Sequence, residues 1–192
     1  LNISWWSAME DSSRDSNRFQ LERFILTQLL VMALKGVPAF YLPALLASEN
    51  DIKSFSMTGQ RRDLNREKFK SDNLVSVLNN PESNANKNIK YLGNAMDIRS
   101  KLEQFHPSSE MECLSKGRSD IVVIKRGKGT KSVFAIHNMT ENKINYQLND
   151  YDLPEIIDND FNMKDFLAST KYNWKNISLD PFQVIWLGSL MK

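Results

Sequence analysis

Cysteine and histidine are almost missing from this 192-residue chain, which has one of the former, Cys113, and two of the latter, His106 and His137. A single thiol excludes an internal disulfide and a cysteine-rich zinc site, and it fits a reducing cytoplasm. Cys113 has no adjacent histidine or basic group to activate it, so it reads as inert. Neither histidine has a partner at metal or triad spacing, which excludes a histidine-based metal cluster. An excess of charge is also missing. The 25 Lys and Arg against 23 Asp and Glu leave +2, with no basic block of the kind that nucleic acid requires. Long apolar runs are absent as well, because FILTQLLVMAL is eleven residues between charged neighbours, too short for a membrane span. Nucleic acid and membrane are therefore not expected as partners.

What is present suits a globular protein. A hydrophobic content of 41% is enough for a core, and the length allows one domain or two small ones. The pattern changes near His106 and Pro107, which divides residues 1–107 from residues 108–192. Residues 17–35 run without Gly or Pro after the possible caps Asp11, Ser12, Ser13 and Asp15. There Phe19, Phe24, Ile25, Leu29, Met32 and Ala33 recur at helical spacing and predict an amphipathic helix packed on a sheet. Residues 71–88, rich in Asn, Ser and Asp, predict a helix end and a solvated loop. A second long helix is expected from Ile89 to Phe105. After Pro107, the runs Ile121–Ile124, Ser132–Ile136, Ile144–Leu148 and Val184–Leu187 predict short antiparallel strands. GKGT and Leu148-Asn149-Asp150 serve as turn signals.

Chemistry concentrates between Gly36 and Phe69. GVPAFYLPALLASEND has the length and apolarity of a buried parallel strand, and it is followed by the arginine-dense GQRRDLNREKF. Planar guanidiniums at Arg61, Arg62 and Arg66, with Asp63 and Asn65 beside them, suit a polyol or phosphate; a solvated helix-capping turn would look the same. Glu49 and Asp51 could be taken for the paired carboxylates of a retaining glycosidase, about 5 Å apart, but polar residues that close a strand are usually turn formers. Trp5 and Trp6 offer either a stacking platform for a sugar ring or ordinary packing. His106 reads as a helix-end residue and His137 as a strand residue.

These segments, taken in order, resemble sucrose phosphorylases and their relatives in the α-amylase superfamily. LNISWWSAM is similar to the stretch after the seventh-strand loop of those enzymes, and GVPAFYLPALLASEND to the eighth strand. RRDLNREKF is similar to their Arg-Asp-Ile-Asn-Arg or Thr-Ile-Asn-Arg signature, and LDPFQVIWL to the closing strand. The resemblance covers essentially all 192 residues and implies an α/β part followed by an all-β part: the C-terminal portion of a (β/α)8 barrel in residues 1–107, and a small antiparallel β-domain in residues 108–192. It implies a cytoplasmic, retaining, glucosyl-transferring phosphorylase that cleaves sucrose or a related glucoside with inorganic phosphate to give glucose 1-phosphate, with no cofactor and no metal. The nucleophilic Asp, the acid/base Glu and the stabilising Asp of that family would lie before Leu1. The chain has no initiator Met and starts inside a motif. It is therefore expected to be a C-terminal fragment that holds no catalytic residue, is inactive alone, and associates with the rest of its parent enzyme or with itself.

Arg66 matches the arginine that hydrogen-bonds the distal hydroxyls of the glucosyl ring in the donor subsite. Arg62 and Asp63 match the residues that precede it in one branch, where they brace the loop. Gln60 and Arg61 depart from the Gly-Arg-Ala-Arg form of the other branch, which leaves the acceptor open. Two further readings stand beside this one: a hydrolase or transglucosidase of the same superfamily, and a carbohydrate-binding or interaction module with an aromatic face of Trp174 and Trp186.

Overall fold

The structure is a computed structural model that describes residues 2–10, 18–115, 117–148 and 162–189. The chain divides into two compact units, one of Leu1–Ile25 with Ala39–Gly93, the other of Leu26–Pro38 with Asn94–Lys192. Two of the three boundaries fall inside helices, α1 (Gln20–Ala33) and α5 (Asn84–Lys101), and the third in irregular chain after Pro38.

The first unit is helical. α2 (Leu42–Leu45), α3 (Ile52–Thr58) and α4 (Ser71–Asn79) lie between the two long helices in sequence. Its core gathers Trp6, Phe24, Ala44 and Ala47, with Trp5, Met9 and Leu21 packed against them. Both tryptophans meet the Phe24 ring edge-on, at 6.1 Å for Trp5 and 5.2 Å for Trp6. These contacts make Trp5 and Trp6 packing residues. The opening motif is tied to the loop before α3 by Asn50, whose Oδ1 accepts from Ser4 N at 2.8 Å and whose N–H donates to Ser7 Oγ at 3.1 Å.

Two expectations need correction. No strand occurs between residues 36 and 51: residues 37–41 are irregular and α2 follows. A parallel strand needs neighbours to satisfy its backbone, and among the described residues none precedes Met111. Instead the Tyr41 carbonyl accepts from Ala44 N and Leu45 N, while Pro43 suits the first turn of the helix. Residues 71–88 are also more ordered than expected, forming α4 and the start of α5 around Pro81. Asn80 Oδ1 accepts from Glu82 N, and Ser83 Oγ accepts from Asn86 N. Polar side chains therefore end one helix and begin the next.

The second unit is built on a six-stranded sheet, all antiparallel, in the order β1-β2-β3-β8-β5-β6, with a separate pair β4-β7. The strands are β1 (Met111–Cys113), β2 (Ile121–Arg126), β3 (Val133–Asn138), β4 (Ile144–Tyr146), β5 (Asn162–Asp165), β6 (Lys171–Asn173), β7 (Ile177–Leu179) and β8 (Val184–Gly188). All four predicted strands are there; β1, β5, β6 and β7 are additional. The GKGT turn joins β2 to β3, with Gly127 at φ 80° and Gly129 at φ 55°, values that favour glycine. The expected caps Asp11, Ser12, Ser13 and Asp15, and the turn at Asn149 and Asp150, lie outside the described residues.

Burial on both faces of the central strands explains their unbroken apolar runs, since every residue of β3 and β8 is buried. One face sends Val123, Phe134, Ile136, Ile185 and Leu187 into a core closed by Tyr146, Leu148, Trp174, Ile177 and Leu179. Each such side chain contributes about 1.5 to 3 kcal/mol by leaving water. The other face carries Ala135, His137 and Trp186, and Trp186 stacks at 4.7 Å on Phe105. Trp174 and Trp186 are therefore core residues, and the aromatic face suggested for a binding module is not formed. Arg126, fully buried at the end of β2, donates to the carbonyls of Ala33, Leu34 and His106. Arg99 reaches Met32 O and Gly36 O. Asp165 accepts from Trp186 N, Leu167 N and Ala168 N, and burial nevertheless pushes its carboxyl up.

Candidate functional site

The arginine-rich segment is a closed, braced loop of the first unit. Asp51 caps α3, its side chain accepting from Ser54 N at 2.8 Å, and the Ser54 hydroxyl and N–H together hold its carboxyl below the usual range. Gly59 ends the helix in the left-handed conformation, at φ 65° and ψ 3°, donating to Phe55 O. The chain then turns at once into a 3-10 helix, Arg61–Asn65. Two contacts close the loop: Asp51 N donates to Leu64 O at 2.8 Å, and Thr58 Oγ1 donates to Asp63 Oδ2 at 2.6 Å. Gln60 N donates to Thr58 Oγ1 at 3.1 Å, so one threonine hydroxyl organises both sides of the turn.

This bracing leaves Arg61, Arg62 and Arg66 exposed, their guanidiniums without a hydrogen-bond or ion-pair partner among the described residues. Asp63 is half-buried and engages Thr58 rather than a guanidinium. Three unpaired guanidiniums on one short turn form an electropositive, donor-rich surface for hydroxyl, phosphate or carboxylate oxygens.

Glu49 and Asp51 are not a catalytic pair, because Asp51 is committed to its cap. Glu49 instead lines, with Glu67, Leu46, Phe69, Leu74 and Val77, a groove of about 330 Å³ beside α4. Sequence reasoning missed Thr58 and the groove. The signal for the first was Asp51-x-x-Ser54 followed by Gly59, a capped helix too short to disperse the residues after it. His106 ends a 3-10 turn and is exposed; His137 lies buried in β3. Cys113 is exposed on β1, 3.6 Å from Ser115 Oγ. Among the described residues no cluster of His, Cys, Asp and Glu could hold a metal ion, and no helix is long and apolar enough to cross a membrane.

No family model matches the chain. Over most of its length it is similar to curated phosphorylases. It is 28% identical over 142 residues to the glucosylglycerate phosphorylase of Allomeiothermus silvanus, covering 73% of this chain and 25% of the relative. It is 21% identical over 187 residues to the glucosylglycerate phosphorylase of Escherichia coli, covering 97% and 32%. With the sucrose phosphorylase of Streptococcus mutans it shares 22% over 128 residues, covering 67% and 24%. The chain thus spans a quarter to a third of the curated relatives it matches. Among solved structures it is similar to AmyP in complex with maltose, at a TM-score of 0.69 and 15% identity, over 95% of this chain and 37% of that one. It is also similar to the trehalose-6-phosphate hydrolase of Bacillus licheniformis, at 0.61 and 15%, over 90% and 39%. The fold is that of α-amylase-family enzymes: a C-terminal barrel part followed by an antiparallel β-domain.

Proposed function

We propose that this chain is the C-terminal part of a retaining glycoside phosphorylase, with residues 1–107 contributing the end of a catalytic barrel and residues 108–192 the β-domain. In this reading the parent enzyme is cytoplasmic, a location that the single free thiol fits. It transfers a glucosyl unit from sucrose or a related glucoside, such as glucosylglycerate, to inorganic phosphate and releases glucose 1-phosphate. Two carboxyl groups carry such a reaction: one attacks the anomeric carbon to form a glycosyl-enzyme ester, and the other protonates the departing oxygen. Phosphate then displaces the carboxylate. The resemblance assigns those groups to a longer chain. These residues contribute substrate binding by Arg66, with Arg62 beside it and Asp63 bracing the turn from within.

The observation that carries the reading is the braced turn itself. The turn is held by backbone and Thr58 contacts while its guanidiniums stay unneutralised, and Arg66 sits at the end of a signature similar to that of the phosphorylases. In the longer polypeptide, Arg66→Ala is expected to lower kcat/KM for phosphate-dependent glucoside cleavage about tenfold to a hundredfold, the range for losing charged hydrogen bonds to substrate. Unchanged kinetics would remove Arg66 from the site. The 192-residue chain alone should release no glucose 1-phosphate from sucrose or glucosylglycerate.

A partner follows from the same reading. In the first unit Tyr41, Leu42, Ile52 and Val75 are more than half exposed and Met57 is 77% exposed. Such residues seek cover from the remainder of a parent enzyme or from a second copy. Light scattering of the isolated chain should therefore report a dimer or larger species; a monodisperse monomer counts against the association.

A further inference from the structure

The Arg66 guanidinium is exposed and meets no acceptor among the described residues, so its place is set by the backbone from which it leaves. That backbone depends on Asp63, which is held at three points. Its N–H donates to Gln60 O at 2.9 Å, its carbonyl accepts from Arg66 N at 3.3 Å, and its Oδ2 accepts from Thr58 Oγ1 at 2.6 Å. Of the three, only the last reaches outside the turn, to the final residue of α3. Thr58 Oγ1 also accepts from Gln60 N at 3.1 Å, so the position needs a group that donates and accepts at one atom. The single hydroxyl proton has a second acceptor within reach, Ser54 O at 3.1 Å, the local bond that a helical threonine commonly makes. The shorter, charge-assisted contact to the carboxylate takes the proton instead, and the hydroxyl serves the turn rather than its own helix.

We propose that Thr58 is a positioning residue for Arg66. It acts through Asp63 rather than on substrate: by holding that carboxylate it holds the backbone of Arg66, and so aims the guanidinium before a ligand arrives. An arginine with no acceptor of its own otherwise loses the freedom of a long side chain and of its backbone on binding, and a pre-ordered backbone removes part of that cost. The inference rests on the phosphorylase reading of Arg66 and extends it, since part of the affinity credited to the arginine then belongs to a threonine on the far side of the turn.

The test is a double-mutant cycle in the longer polypeptide, read as phosphate-dependent glucoside cleavage. Thr58→Val keeps the side-chain shape and removes the hydroxyl. It is expected to raise KM for the glucoside about threefold to tenfold, the range for one hydrogen bond, with kcat changed less than about twofold. Thr58→Ser, which keeps the hydroxyl, should restore KM to within about twofold of the native value. Added to Arg66→Ala, Thr58→Val should have no further effect, because a residue that acts through Arg66 then has nothing left to position. Additive losses in the double variant, or a native KM in Thr58→Val beside an impaired Arg66→Ala, would overturn the positioning role and leave the phosphorylase reading standing. Failure of Thr58→Ser to restore KM would overturn it as well, by tracing the effect to the methyl group. Native kinetics in Arg66→Ala would defeat the reading itself, and the inference with it.

Discussion

Replacing Arg126 with alanine is expected to cost about 3 to 5 kcal/mol of stability in the unit that holds the sheet. The guanidinium is fully buried and has no carboxylate partner among the described residues. It donates instead to Ala33 O at 2.9 Å, Leu34 O at 2.7 Å and His106 O at 2.9 Å, with a longer contact to Glu110 O at 3.3 Å. Two of those carbonyls lie at the end of α1, where the last carbonyls of a helix have no donors within it and the dipole presents its negative pole. Arg99 serves Met32 O and Gly36 O, and both guanidiniums stand over the Phe105 ring, at 5.7 and 5.6 Å. Burial lowers both pKa values, and Arg99 adds to the effect on Arg126; arginine nevertheless keeps its proton.

Arg126→Ala would strand three carbonyls and leave a void. Arg126→Lys should recover little, since one ammonium cannot fork to carbonyls on separate segments. The contrast is Lys128→Ala, which breaks a 2.7 Å ion pair with Glu110 whose side chains are 75% and 60% exposed. It should cost under about 1 kcal/mol. Urea midpoints for the three variants decide the matter. Equal shifts for Arg126→Ala and Lys128→Ala would mean that the carbonyl cap contributes nothing special.

Acidification supplies the second large effect. His137 is fully buried in β3, its Nδ1 is 3.3 Å from Val122 O, and burial lowers its pKa from 6.5 to about 4. The folded state therefore keeps the imidazole neutral, while the unfolded chain takes up a proton near pH 6.5. Between those two values the unfolded state holds more protons, so stability falls as pH falls. The loss starts near 6.5 and is complete below about 4. At about 1.36 kcal/mol per unit, the full span corresponds to about 3 kcal/mol, with about 2 kcal/mol gone by about pH 5. Asp51 and Asp120, both held below the usual carboxylate range, lose their stabilisation only beneath this window, as pH drops through still lower values. Unfolding by urea at about pH 7 and about pH 5 should show the drop in the native chain, and His137→Gln should flatten it. An equally steep profile in that variant would assign the acid sensitivity to other groups.

Where side-chain periodicity carried the structure, the sequence was readable. The helical spacing of Phe24, Leu29 and Met32 marked α1, and the runs at Ile121, Val133, Ile144 and Val184 marked four strands. The turn-forming role of Asp51 was also visible in its position after Asn50. Short strands with mixed polarity were not. Asn162–Asp165 and Lys171–Asn173 look like loop residues and become strands because β8 offers an edge to the first and the first in turn offers one to the second, a tertiary cause that no local window contains. The segment after Gly36 failed for the opposite reason: its apolarity fits a strand, but a strand exists only where a neighbour pairs with it. The charge of the Arg61–Arg66 turn was legible from residue type, but the bracing expected of Arg62 is not formed, since of Arg62 and Asp63 only Asp63 engages the turn, through Thr58. The geometry of the turn depends on the Thr58 hydroxyl and the Asp51–Leu64 contact, and neither is marked by residue type alone.

Because both faces of β3 and β8 are apolar, the usual two-residue alternation does not tell these strands how to align. Sliding one residue past a neighbour would trade one greasy surface for another, and water would not object. The alignment is instead keyed by the few polar groups set among them. Asp165 clasps the amide of Trp186, His137 meets the carbonyl of Val122, and Arg126 is pinned by carbonyls beyond the sheet. Any slip would tear at least one of these from its partner in the dry interior, so three hydrophilic side chains act as the notches of a key that the hydrophobic residues alone could not cut.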